Sequence, residues 1–505
     1  MSNLSDLIPA GGGQNNTDFV ADGAIASGKP VILTAAGKAA EIDETTVASD
    51  MPLGSDTEYE SRNVEYQDLQ ADPHNSDRWI ACWMDDDGGT KDVNVKVFTL
   101  SGTTWTLSSL IIGDAGGTGN RVPCIAWDKS TADKVLLVYN DSSNSYGAAK
   151  VGTISGSAGS ESISWGTEHV FNSQIRYGSS TVWPQVRCLD SSGNYFTYYI
   201  GATGYPNSSY GIVLQVSTTT VTSGTETALV TDVNSLAHNA TVVPTDSTKI
   251  IYGFREDTSE KLALIQLSIS GTTITVGSET LTSDLVSDNG LTIIPVNATK
   301  IVVMTGTNGT NYPSYVIATN SSGSFSTGTL TTFESSTAIT IQADNNLETS
   351  STLISYYANQ TGTRYPRGRE GTINGAISSI TFSAEEQLST TAGYNWSAVA
   401  QQSDAAGTCA FIYETTSSTG NLLLGETGST TSNLTATNLL GIASGAILDT
   451  ATGTINTWGS RNEVQSGLTI ASDYYAQTDG TITTSDGGQL LGKALSATQI
   501  NIKDY

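Results

Sequence analysis

One short segment recurs seven times along the chain, and no other feature limits the possible folds so strongly. Its copies end at or near an acid or amide: Val64–Asp72, Val122–Asp128, Pro184–Asp190, Ala240–Asp246, Leu291–Asn297, Ala338–Asp344 and Ser397–Ser403. The mean spacing is about 55 residues, within the range of propeller blades. Each copy is followed by a turn and a β-branched or aromatic run, such as Lys134-Val-Leu-Leu-Val-Tyr139 or Lys249-Ile-Ile-Tyr-Gly-Phe254. A polar loop and a third apolar run come next. Several copies then close on Ser-Gly-Thr-Thr, as at Ser101–Thr104 and Ser270–Thr273, a two-residue hairpin signal. Each unit therefore reads as four antiparallel strands. Sheets of that size leave apolar faces and edges exposed, and packing them radially covers both. The expectation is an all-β chain: a seven-bladed β-propeller of four-stranded blades. A β-solenoid is the competing architecture, but its repeats are normally shorter.

Composition agrees with a folded β chain. Of 505 residues, 37% are hydrophobic and only 14% charged, with 51 Gly. Asp and Glu total 49 against 22 Lys and Arg, a formal net charge of −27. That balance argues against nucleic acid and against an anionic membrane surface, both of which need a basic partner. No apolar run approaches a membrane span, and residues 1–13 lack the basic and apolar regions of a secretory signal. Cys82, Cys124, Cys188 and Cys409 each stand alone in an apolar run, with no zinc-like spacing. They read as buried thiols of a protein made in a reducing cytoplasm.

The two ends lack the repeat. Short strands and Asp-Gly or Gly-Gly turns predict a small β-barrel or sandwich built from both termini, with the propeller inserted between them. The expected boundaries are 1–56 for its first part, 57–437 for the propeller and 438–505 for its second part. The tract Gln465-Ser-Gly-Leu-Thr469, Tyr474-Tyr-Ala-Gln-Thr-Asp-Gly-Thr481, Gly492-Lys-Ala-Leu-Ser-Ala-Thr498 resembles the C-terminal module of tailed-bacteriophage tail-fibre and virion structural proteins. The phrase Ala21-Asp-Gly-Ala-Ile-Ala-Ser-Gly-Lys-Pro-Val-Ile-Leu33 is similar to their N-terminal one. The likeness covers about a fifth of the chain by residue span. It implies a structural or attachment module and brings no catalytic residues with it.

Catalytic motifs are absent. His74, His169 and His238 fall in unrelated positions of the repeat, and no nucleophile elbow, zincin, Walker or dinucleotide signature occurs. The Ser-x-Asp-x-Gly-x-Thr-Trp boxes of sialidase-like blades are also missing. Asp85 and Asp87, in the run Asp85-Asp-Asp-Gly-Gly89, form with Asp92 a candidate Ca²⁺ site, with a solvated turn as the alternative. No other cofactor is expected.

Two features suggest a binding face. Tyr205, Tyr312 and Tyr365 each precede Pro in the same loop of three repeats, with Tyr146 at the matching place in the second. The loops entering the first strands bring Tyr177, Trp183, Tyr394 and Trp396 to that end. Rigid aromatics on loops stack on sugars or partner side chains at low entropic cost. Arg364, Arg367 and Arg369 cluster in one repeat, where they would either answer a ligand carboxylate or neutralise neighbouring acids.

The expected function is a non-enzymatic phage virion protein, on the virion surface, presenting the propeller for attachment to a host-surface glycan or protein. Other virion proteins and copies of the chain itself are the expected partners; a trimer would suit a tail fibre. A virion-associated glycan depolymerase and a purely architectural head or tail decoration protein are the alternatives.

Overall fold

The computed structural model describes residues 15–47, 51–87, 90–115, 122–141, 146–172, 185–190, 192–200, 208–244, 246–345, 352–359, 364–402, 407–427, 429–435, 437–486 and 488–503. All regular structure among them is strand, and no helix is long and apolar enough to cross a membrane. The chain divides into two compact units, residues 1–47 with 430–505, and residues 48–429.

Residues 48–429 form a β-propeller. The described strands sort into seven antiparallel ladders, the first six running outward in chain order. The second is typical: Pro123–Trp127, Lys134–Asp141 and Tyr146–Ser155 pair in succession, and Ser162–Trp165 and His169–Asn172 both pair with the third strand. The fourth and fifth ladders are joined because one long strand, Thr280–Pro295, ends the former and begins the latter.

Side-chain alternation explains why the ladders stack. Along Lys134–Asp141, Val135, Leu137 and Tyr139 enter a core shared with Ile80, Val93 and Val95 of the first ladder. Leu136 and Val138 enter one shared with Val186, Tyr195 and Ile212 of the third. Successive side chains of a strand point to opposite faces, so a sheet packed on both faces reads as an unbroken apolar run. The same holds around the unit, with the last such core joining Ala398, Ala410 and Ile412 to Trp79, Ala81 and Phe98.

Closure uses a strand from the other side of the repeat. Thr57–Glu60, which precedes the first ladder, pairs as the outermost strand of the last, next to Gly420–Glu426. Its Tyr59 is 2% exposed and packs edge-on against Trp83, ring centroids 5.2 Å apart.

In the other unit, strands from both chain ends share one sheet. Its order is Asn16–Val20, Thr452–Asn456, Leu439–Ala443, Pro30–Leu33 and Ala39–Glu41. A second five-stranded sheet is drawn from residues 461–502, and Ile32 and Ile442 of the first share a core with Leu491, Ile500 and Ile502 of the second. The expected boundaries shift by several residues. Met51 belongs to the propeller because it packs with Cys409 and Phe411, and the Leu53 amide bonds to Leu424 O at 2.8 Å. Residues 430–432 belong to the terminal unit, where Ser429–Ser432 pairs with Glu44–Val47.

Candidate functional site

The recurring acid or amide at the end of five of the repeat segments is a turn-former. Asp128 Oδ1 accepts the amides of Ser130 at 2.8 Å and Thr131 at 2.9 Å, and the Ser130 hydroxyl. Asp72, Asp190, Asp246 and Asn297 accept the amide two residues on in the same way. These Asx turns reverse the chain between the first and second strands. For Asp128, burial alone would raise the carboxyl pKa; the Ser130, Thr131 and Tyr195 hydrogen bonds outweigh it and hold it below the usual range.

The described turns after the first strands lie at one end and, with Asp344, Gln401 and Gln402, line a cavity of about 830 Å³. Side chains knit its wall across neighbouring ladders. Asp68 Oδ2 accepts Ile125 N at 2.9 Å, and Trp127 Nε1 donates to Gln70 O at 3.2 Å. Ala240 N donates to Tyr198 OH, Thr292 Oγ1 to Ile341 O, and Gln401 N to Asp344 Oδ2.

Arg187 lines this cavity from the third first strand, Gln185–Cys188. Val186 and Cys188 turn into the core beside it, so Arg187 takes the other face, toward the fourth ladder. Its Nε donates to Ala240 O at 3.0 Å and its Nη1 to Val186 O at 2.9 Å. Burial lowers its pKa, but Tyr198, Cys124, Asp68 and Asp344 more than offset this, and the net shift is upward. Lys129 is exposed at the same mouth. The cavity's carboxylates are already engaged. Asp72 pairs with Arg78 at 2.5 Å, Asp246 with Lys249 at 2.9 Å, and Asp344 accepts Gln401 N at 2.9 Å. The Thr248 hydroxyl and Lys249 hold Asp246 below the usual carboxylate range.

The aromatic face expected from sequence lies at the opposite ends of the strands. Tyr146 opens the third strand of its ladder, and Tyr312 and Tyr365 immediately precede theirs, so the three share an end. Tyr312 and Tyr365 are half-buried, and the Tyr146 hydroxyl donates to Glu168 of its own ladder at 3.3 Å. Tyr177, Trp183 and Tyr205 lie outside the described residues. Tyr394 and Trp396 lie in Gly393–Gln401, but their side chains lie outside the description.

Two arginines expected as candidate ligands for a partner are engaged within the propeller. Arg367 pairs with Glu385 at 3.2 Å, and Arg369 with Glu334 at 2.5 Å and Ser383 O at 2.9 Å. Arg364 offers its carbonyl to Gly393 N at 2.7 Å. Asp85 is 3% exposed, pairs with Arg62 at 2.9 Å, and sits opposite Asp92 in the ladder. The Asp87 side chain lies outside the description. Among the described residues no group of three His, Cys, Asp or Glu gathers to hold a metal ion. The four cysteines are buried and none is in a disulfide. His74 Nε2 contacts Asp128 O at 2.8 Å and His169 Nε2 contacts Ser223 Oγ at 3.0 Å. Burial pushes His238 down to about 4.

A further pattern went unread in the sequence. The fourth strand bends midway, at Gly166-Thr-Glu168 and Gly224-Thr-Glu226 among others, and the acid receives a tyrosine hydroxyl from the second strand. Tyr139 donates to Glu168, Tyr199 to Glu226, and Tyr357 to Glu385 at 2.9 Å. In the last ladder Tyr413 donates to Asp56 at 2.5 Å, just before the closing strand. The spacing of 27–29 residues between tyrosine and acid, and the Gly-x-Glu triplets, were the available signal.

Radial ladders around a central cavity define a β-propeller protein. The chain is similar in structure to Sqt1 from Chaetomium thermophilum bound to the N-terminus of a ribosomal protein, with 10% identity and a TM-score of 0.45, covering 75% of this chain and 100% of that one. A protein from Lactobacillus plantarum aligns with 10% identity and a TM-score of 0.42, over 62% of this chain and 82% of its own. A Hadza microbial sialidase aligns with 9% identity and a TM-score of 0.38, over 68% and 74%. No family model matches the chain, and no curated protein matches it in sequence.

Proposed function

We propose that the chain is a virion surface protein whose propeller is a binding head for a host-surface glycan or protein, fastened through the module built from its two ends. One observation carries this reading: residues from both termini share a sheet, so the entire propeller is an insertion in the terminal module. A head carried as an insertion leaves the ends to engage other virion proteins. Copies of the chain on one particle would add weak contacts into strong attachment through avidity. The resemblance of residues 465–498 to tail-fibre modules supports the same placement.

Binding without turnover suits the cavity chemistry. A general acid for glycan cleavage needs a carboxyl with a raised pKa. Among the cavity's acids Asp246 is held below the usual carboxylate range by the Thr248 hydroxyl and Lys249, Asp72 is paired with Arg78, and Asp344 accepts the Gln401 amide.

The test is fluorescently labelled protein on host cells, competed with unlabelled particles, alongside an assay for reducing ends released from host polysaccharide. Competed labelling without released ends is expected. Released ends would overturn the non-catalytic reading, and absent labelling would favour an architectural protein.

A further inference from the structure

Building on the propeller as a binding head, we propose that its axial cavity is a site for a sugar acid, a hydroxylated ring bearing one carboxylate that seats on Arg187. The Nε and one Nη1 bond, to Ala240 O and Val186 O, fix the plane of the guanidinium. Its Nη2 has no partner among the described residues, and no described carboxylate forms an ion pair with it. Six other arginines, Arg62, Arg78, Arg255, Arg367, Arg369 and Arg461, each pair with a carboxylate. In a chain of net charge −27, a half-buried guanidinium that feels Asp68 and Asp344 only through space, with no direct ion pair among the described residues, stands out. Its Nη2 is left for a direct, charge-assisted hydrogen bond that neither acid makes, and a bound carboxylate supplies it.

The chemistry of the wall narrows the anion. A planar carboxylate matches the fork of a guanidinium with two parallel hydrogen bonds. Asp72, Asp246 and Asp344 stand on the same wall, and a phosphate dianion would meet their repulsion with one interior cation to offset it. Gln70, Asn75, Ser247 and Gln402 supply the mixed donors and acceptors that ring hydroxyls require. A volume of about 830 Å³ is in the range of small-ligand sites. Lys129, exposed at the mouth, draws the anion inward.

Isothermal titration of the full-length chain with glucuronate, galacturonate and N-acetylneuraminate tests this, with glucose, galactose and inorganic phosphate as controls. At least one acid is expected to bind, with glucose and galactose at least ~10-fold weaker and phosphate unable to compete. Arg187→Gln should lose ~10-fold or more in affinity while still folding, with a lower melting temperature from its lost bonds to Ala240 O and Val186 O. Should that variant fail to fold, Lys129→Ala decides, because its ammonium is exposed: affinity should fall ~2–5-fold and depend less on salt. The proposal is overturned if no acid binds at ~20 mM, if phosphate displaces the acid, or if the variant that decides behaves like the parent. Cell labelling read in parallel separates the two ideas. Labelling without acid binding rejects this site and keeps the binding head. Acid binding lost in Arg187→Gln, with labelling unchanged, keeps the site and moves attachment elsewhere.

Discussion

At the scale of single residues, the chain hides charge sparingly, and Glu414 shows the cost. It lies in the second strand of the last ladder, 3% exposed, with Oε2 lacking a partner. Burial, reinforced by Glu65, pushes its carboxyl up to about 8. A folded pKa above the unfolded value of ~4.3 means its stabilising share is complete below that value and is lost as pH rises toward 8. Glu414→Gln should therefore raise the melting temperature at pH 9, by on the order of a few kcal/mol in stability, and change little near pH 4. Thermal melts of both proteins across that range check it; parallel curves would mean the carboxyl is already ionised when folded. Asp128 runs the other way. It is 1% exposed, closes a turn, and accepts the Tyr195 hydroxyl of the next ladder at 3.1 Å. Asp128→Ala is expected to cost about 2–3 kcal/mol in chemical denaturation at neutral pH, because it leaves several donors unpaired. Its folded pKa is depressed, so the parent's advantage should shrink as pH falls below the ordinary carboxylate range.

At the scale of elements, the turns decide where strands end. Gly102 and Gly271 take φ +60° at the first central position of their hairpins, a conformation that Gly alone adopts without strain in a type II′ turn. The closing strand depends on a different glycine. A Cβ on Gly420 would lie 2.4 Å from the ring of Tyr59, with no soft neighbour to yield. Gly420→Ala should cost about 1–3 kcal/mol, from the overpacking of a filled interface. Amide exchange should quicken first in Thr57–Glu60 and in its partner Gly420–Glu426. Exchange that quickens uniformly would place the closure among the last elements to open.

At the scale of the whole molecule, two compact units with separate cores share one chain. Calorimetry should resolve two unfolding transitions, the larger belonging to residues 48–429, since a single two-state transition is the property of one cooperative core. One transition with equal calorimetric and van't Hoff enthalpies would show that the units unfold together. The larger unit's own cohesion is distributed: each ladder buries both faces against its neighbours, and no single ladder holds a core of its own.

The repeat, the all-β class and the strand order were legible in the sequence because they are local. Alternation buries two faces, Gly-containing turns reverse the chain, and an Asp or Asn at the end of five of the segments closes an Asx turn within three residues. The pairing of both termini could be anticipated from their shared lack of the repeat, but the boundaries at 47/48 and 429/430 rest on what Met51 and Ser429–Ser432 pack and pair with, which spans hundreds of residues. The candidate site divides in the same way. Tyr312, Tyr365 and Arg364–Arg369 drew notice by their spacing along the chain, yet the ion pairs of Arg367 and Arg369 form only across strands. Arg187 carries no local mark at all. It matters because the fold brings the turns of successive ladders around one axis and leaves that guanidinium facing the cavity without a direct ion pair, a juxtaposition that exists only once the ring is closed.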